Sequence, residues 1–451
     1  MRSSLVIRMF ILLLALTWAV MPEVRCQHAT RSTGQELTLD QAIAIALNDN
    51  RSIKNARLDV EKGEEQLAAT RTARFPVFKT YAIVSEDLVK HEVNLPNPVS
   101  NIVPGLGPFF TLGTPRRPTG IFAGQVLQPI SQQYKIGLGI SLAKLGEQID
   151  QEKLRAEKQS LVDSIKRAYY AILMTESALK SVSDEVASYR ELDRVTGEYV
   201  MQQVVLRAEL LKIQTLRAKS EYDQADVGNR LATQKEQLNR LLGRDVFTEF
   251  SVAPVSETIV FETDIASARR RAVAQRPELK QARLRVEQAN VDKRMKKSEY
   301  IPDVSAGFTY LKLANFDPVV PRDIATIGIA MSWEVFDWGK KKHQLAEKSR
   351  TVEQAENAAR ETEDQILIDV SDKFRKFQQT GLALRVAKAE CEAAREKLRV
   401  VSASYGLSAS LLSDVLQSQA SASEADHRYQ QALLSFWSAK AEYEKALGED
   451  K

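Results

Sequence analysis

Cysteine is scarce in this 451-residue chain, with only Cys26 and Cys391 present. That excludes a disulfide scaffold, and four histidines scattered at 28, 91, 343 and 427 exclude a Cys/His metal cage as well. Neither sign of charge dominates. Lys and Arg total 63 against 59 Asp and Glu, without the basic excess of a nucleic-acid partner. Long apolar runs are also missing. The one apolar stretch, Met9 to Val20, would cover about 18 Å as a helix against a hydrocarbon core of about 30 Å. A helical-bundle membrane protein is thereby excluded. No phosphate-binding glycine loop, nucleophile elbow or paired-acid motif stands out, so an enzyme ranks behind other classes and no cofactor or metal is expected.

What is present begins with a secretory signal. Arg2 and Arg8 precede the short apolar run, and the cut is placed between 19 and 29, giving a signal of about 1–26. A lipidated Cys26 is the alternative, although Val24-Arg25 before it is a poor match to the small residues that precede a bacterial lipoprotein cysteine. Cys391 then has no partner and reads as a quiet residue on a helix face.

Proline punctuates the rest. Of 14 prolines, none lies between 130 and 253 or after 321. Because proline removes a donor and clashes with the preceding turn, these two stretches are where very long helices can form. In the second, Leu345, Val352, Ala359 and Ile366 recur every seven residues, and Val370, Phe374, Phe377 and Leu384 continue the seam. Residues 38–76 also lie on 264–302 without a gap. Ala42/Ala268, Ala46/Ala272, Lys54/Lys280, Arg57/Arg283, Glu61/Glu287 and Pro76/Pro302 are among the identities. Further on, Leu242 matches Leu447 and Gly243 matches Gly448, after one insertion that falls within 91–119. That segment is rich in proline and glycine and reads as a long exposed loop.

Each repeat (38–243 and 264–448, with a linker at 244–263) has the same parts. A helix of about 37 residues, 38–74 or 264–299, leads into two extended segments, at 77–89 and 120–130 or at 304–313 and 324–335. A helix of about 70 residues follows, 131–200 or 337–403, and then another of about 37, 206–242 or 410–447. Thr38 and Gln41 form a capping box at the start. At 1.5 Å per residue the long helix is about 105 Å, and two short ones end to end match it at about 111 Å. The chain therefore reads as mainly α with a small β part. An ordinary antiparallel coiled coil is the plainer alternative. In 324–335, Ala325, Ile327, Ile329, Met331, Trp333 and Val335 alternate with small or polar residues, giving a two-faced strand that suits a transmembrane barrel or a small soluble β-domain. Trp333, Phe336 and Trp338 at its end suit an interfacial girdle.

Leu39-Asp40-Gln41-Ala42, Arg276-Pro277-Glu278-Leu279, Val335-Phe336-Asp337-Trp338-Gly339-Lys340 and Tyr405-Gly406-Leu407-Ser408 ahead of Leu411 to Leu416 occur in this order. In that order and spacing the chain resembles the TolC-like outer membrane efflux protein family. The resemblance implies a homotrimer whose four strands per chain make a 12-stranded outer-membrane β-barrel, continuous with a trimeric α-barrel in the periplasm of a Gram-negative bacterium. It implies a passive channel-tunnel of a tripartite efflux or type I secretion system, joined by a periplasmic adaptor to an inner-membrane pump. It also implies a gate near the second hairpin turn, carrying Asp414, with Gln417 one turn on, Glu209 at the matching first-repeat position, and Tyr405. Ser410 stands where the family has an arginine. The plainer account of Asp414 and Glu209 is that they are helix-start acids interacting with the dipole. Lys340, Lys341 and Lys342 read as solvating a helix start just inside the membrane, with lipid headgroups as the alternative, and His343 and His427 as isolated surface residues. A soluble periplasmic coiled-coil adaptor or scaffold is the competing function.

Overall fold

The computed structural model describes residues 36–86, 88, 92–96, 109–113, 118–254, 264–316, 321–406 and 410–449. The signal segment, Cys26 and the turn at 407–409 lie outside the described residues. In chain order the elements are β1 (Glu36–Leu37), α1 (Leu39–Asp49), α2 (Arg51–Thr72), β2 (Val77–Ser85), β3 (Glu92–Pro96), β4 (Phe109–Gly113), β5 (Thr119–Pro129), α3 (Gln133–Met201), α4 (Arg207–Leu242) and β6 (Ser251–Val252). The second half continues with α5 (Ile265–Gln275), α6 (Pro277–Ser298), β7 (Asp303–Ala314), β8 (Asp323–Ser332), α7 (Lys340–Gly406) and α8 (Leu412–Leu447).

Two departures from the sequence reading have clear physical causes. The opening helix of each repeat is two helices. Asn50 leaves the helical region (φ −60°, ψ 132°), and its Oδ1 accepts from the backbone N–H groups of Ser52 and Ile53 while its Nδ2 donates to the Leu241 carbonyl at 2.8 Å. The second repeat breaks at Arg276, because Pro277 forbids the residue before it from staying helical. The insertion read as loop contains a ribbon, β3 paired antiparallel with β4 from Glu92↔Gly113 to Pro96↔Phe109.

The long helices α3 and α7, of 69 and 67 residues, carry the wall. On the half towards the sheet the order is α2, α3, α6, α7; on the far half it is α4, α3, α8, α7. At the centre α1 and α5 cross the wall, and the duplicated residues become its core. Ala42, Ala46, Ala268, Ala272, Ile53, Ile165, Tyr169 and Leu242 are fully buried. The small alanine side chains at those four α1 and α5 positions let the short helices pack closely. Tyr169 Oη lies 2.8 Å from both the Leu37 and Ala253 carbonyls, tying down the parallel β1–β6 pair. Beside them Phe377 stacks on Phe436 at 5.4 Å and Trp437 on Tyr170 at 5.2 Å, which knits α7, α8 and α3 together.

Candidate functional site: a two-faced sheet and an open helical wall

The sheet is antiparallel in the order β2-β5-β7-β8. Directly paired residues share a face, so the register assigns every side chain. One cross-strand row reads Phe78, Val126, Phe308, Ile327, flanked on the same face by Phe122, Tyr310, Ile329 and Met331. The opposite face carries a polar band, Lys79, Gln125, Thr309 and Thr326, with Gly307 and Gly328 next to it, and apolar residues on either side, among them Leu127, Tyr81, Leu311 and Ile324. Ile327 is 87% and Ile329 75% exposed, an arrangement costly in water. A ten-residue strand is about 33 Å long and at a tilt of about 40° rises about 25 Å, the height of a lipid-facing band.

Among the described residues both sheet edges, β2 and β8, are unpaired. Each continues into an edge of the wall, because β2 follows α2 and β8 runs into α7. Those edge helices hold most of the wall's exposed apolar side chains, among them Leu58 on α2, Leu211 and Tyr222 on α4, and Ile368, Leu382 and Val386 on α7.

At the β8–α7 junction Trp333, Phe336 and Trp338 are all exposed, and Phe336 meets Trp338 edge to face at 4.9 Å. Trp338 sits in the left-handed region (φ 56°), followed by Gly339 at φ 83°. Asp337 holds the turn by accepting from the Gly339 and Lys341 backbone N–H groups at 3.0 and 2.8 Å. Of the three lysines, Lys340 and Lys342 are exposed, whereas Lys341 is buried and donates to the Glu334 carbonyl at 2.9 Å. Lys341 is thus a structural pin, which a plain run of lysines does not announce.

At the far end, Asp414 is exposed in the first turn of α8, and its Oδ2 accepts from the Leu411 N–H at 3.2 Å. Glu209 occupies the first turn of α4, and Gln417 is exposed one turn beyond Asp414. Tyr405 is half-buried near the end of α7, and burial, with the nearby Tyr199, pushes its phenol above the ordinary value. Among the described residues no hydrogen bond joins Tyr405 to Asp414. Ser410 donates to the Val401 carbonyl at 3.2 Å, so it stays with its own helix pair. His343 and His427 stand apart on α7 and α8, and no group of three His, Cys, Asp or Glu able to hold a metal occurs among the described residues.

The sequence reading missed a buried polar hub. Asp426 on α8 accepts from Ser181 of α3 at 2.5 Å, pairs with Arg395 of α7 and lies 3.6 Å from Cys391 Sγ. It borders a groove of about 690 Å³ whose walls are α4 and α8 and whose floor is α3. No helix among the described residues is long and apolar enough to cross a membrane.

Residues 268–449 match the family described as outer membrane efflux protein. The fold of the whole chain agrees with that match. It is similar to the outer membrane channel CmeC of Campylobacter jejuni (TM-score 0.76, 14% identity, 91% of this chain and 85% of that one). It is similar also to the outer membrane protein VceC of Vibrio cholerae (0.72, 16%, 91% and 96%) and to the open state of the MtrE outer membrane channel of Neisseria gonorrhoeae (0.71, 17%, 91% and 89%). No curated protein sequence matches the chain significantly.

Proposed function

We propose that three copies of this chain close into one outer membrane channel, a passive conduit of a tripartite export system. The carrying observation is the sheet: one face with an exposed apolar row, the other with a central polar band of Lys79, Gln125, Thr309 and Thr326, and two open edges. Four strands are too few to close a barrel, and unpaired edges are not tolerated in hydrocarbon. Three chains give twelve strands, with the apolar row towards lipid and Gln125, Thr309 and Thr326 towards the lumen. The same rotation covers the apolar residues on α2, α4 and α7. Below the membrane the wall continues as a tube. The groove between α4 and α8 suits the helices of a periplasmic adaptor linked to an inner-membrane pump. A soluble adaptor is disfavoured, because such a protein has no use for a sheet with Ile327, Ile329 and Met331 exposed in one row.

At the far end the ring places three Asp414 carboxylates near one another, with Gln417, Glu209 and Tyr405 around them, making a cation-favouring constriction. Asp414 keeps one oxygen on the Leu411 N–H in this arrangement, so capping and gating are compatible. Outer-membrane fractionation, mass measurement of the detergent-solubilised protein and planar-bilayer conductance test the proposal. A soluble periplasmic monomer without conductance would refute it.

A further inference from the structure

Charge is distributed very unevenly between the two ends of the sheet. The four junctions with the helices comprise residues 71–76, 130–136, 293–302 and 333–343, and they hold ten Lys and Arg against three acidic residues. The connections at the other ends, 86–118 and 315–323, hold four basic and five acidic residues. A chain of formal charge +4 thus concentrates about twice that excess at one level. The pattern is not simple solvation of helices by ion pairs. Arg71, Arg74, Arg294, Lys297, Lys340 and Lys342 are exposed, and no acidic partner faces any of them among the described residues. Lys296 and Lys341, by contrast, are paired with Glu299 and Glu334.

Each junction also presents an apolar or aromatic side chain beside those cations. Phe75 is 66% exposed, and Tyr134, Tyr300 and Trp338 occupy the same level at the other three junctions. Trp338 is held outward in a backbone conformation that a bulky residue adopts only under restraint, here the Asp337 cap and the Lys341 pin. Aromatic rings sit well at the boundary between hydrocarbon and headgroups, and Lys or Arg just beyond them face the phosphates.

We infer that these junctions form a collar that binds the anionic phospholipid headgroups of the periplasmic leaflet, with Arg71, Arg74, Lys340 and Lys342 as its principal cations. This rests on the membrane reading of the sheet. In a closed ring, Arg71 and Arg74 beside β2 of one protomer stand next to Lys340 and Lys342 beside β8 of its neighbour, which doubles the local charge. The collar would anchor the tube at one depth and prefer acidic over zwitterionic lipid, a preference that salt weakens.

The test uses the full-length protein purified in detergent and offered equal amounts of phosphatidylglycerol and phosphatidylcholine, with retained lipid counted by native mass spectrometry. The expected result is at least fivefold preference for phosphatidylglycerol, falling to near parity in 0.5 M salt, on the order of magnitude set by interfacial cations. The fourfold variant Arg71→Gln, Arg74→Gln, Lys340→Gln, Lys342→Gln should lose that preference while still inserting and conducting. Equal retention of both lipids by the unaltered protein, or an unchanged preference in the variant, overturns the collar and leaves the channel standing. Retention of neither lipid also overturns the collar, while the channel reading stands or falls on conductance. Displacement of bound phosphatidylglycerol by millimolar inorganic phosphate reassigns the cluster to phosphate and also overturns it.

Discussion

Gly243 and Gly448 occupy the same place in the two repeats, ending α4 and α8 with φ of 75° and 79°. Each backs onto the helix break of its own repeat, but at different distances. A Cβ at Gly243 would lie 2.4 Å from the Asp49 carbonyl oxygen and 2.6 Å from its carbon. At Gly448 the nearest atoms, Arg276 N and Gln275 C, are both 3.0 Å away. Left-handed alanine costs about 1–2 kcal/mol at either site. Only Gly243 adds a backbone overlap that forces a shift, about 1–3 kcal/mol more. Gly243→Ala should therefore lose about 2–5 kcal/mol and Gly448→Ala about 1–2 kcal/mol. With a transition entropy of roughly 2.1 cal/mol/K per residue, 3 kcal/mol lowers the apparent Tm by about 3 °C. Asparagine separates the two causes, since it tolerates the left-handed region but still carries a Cβ. Gly448→Asn should recover most of the loss, and Gly243→Asn should not. Circular dichroism melts of the detergent-solubilised protein provide the readout. Equal losses at the two glycines, or rescue by asparagine at Gly243, would refute the argument from the helix break.

Asp414→Ala should weaken cation selectivity and inhibition by multivalent cations in single-channel recordings, and unchanged selectivity would remove the carboxylate from the permeation path. Asp426→Ala strands the Ser181 hydroxyl inside the wall and should cost about 1–3 kcal/mol in an unfolding melt, whereas Asp426→Asn, which keeps an acceptor, should cost less. The Arg395 pair adds little to that figure because its guanidinium side chain is 62% exposed. Burial holds the Cys391 thiol above its ordinary value, so less thiolate is available at a given pH in the folded protein than in the unfolded one. Iodoacetamide labelling of Cys391, followed by mass spectrometry, should be slow near pH 8, rise with pH beyond the usual thiol range, and become ordinary in denaturant. The raised value also means that the thiol's contribution to stability is complete below the unfolded pKa and is lost as pH climbs through the folded one. Equal labelling rates with and without denaturant would contradict the packing around Asp426.

The periodic features were legible because their physics is local. Alternation in 324–335 gives the exposed row from Ile327 to Met331, and the heptad seam gives the buried face of α7 through Val352, Ile366, Val370 and Phe374. The breaks were less legible. Pro277 marks one, but Asn50 breaks its helix without proline, through a cap and a hydrogen bond to Leu241, a residue 191 positions away. The Asp426 hub likewise joins three helices whose residues are separated by up to 245 positions. Lys341 resembles its neighbours in sequence, and only the fold at Asp337 turns it inward. At the tip, motif order locates Asp414 at the start of α8, while its direction relative to an axis depends on chains the sequence does not position.

Closure must satisfy sheet and helices together. The open edges of both lie on the same two sides, β2 with α2 and α4 on one, β8 with α7 on the other. A two-fold pairing of β2 with β2 would leave β8 unpaired and Ile368, Leu382 and Val386 uncovered, so the sheet would still present bare N–H groups to hydrocarbon. A head-to-tail contact uses both edges once per chain and repeats identically. It terminates only by closing on itself. Eight strands from two chains give a barrel just wide enough for its own side chains, whereas twelve leave a lumen. Lys79, Gln125 and Thr309 need such a lumen, because an inward face built from them has to be wet. The polar band on the inner face and the position of the free edges are therefore what the proposed ring of three accommodates and a two-chain ring does not.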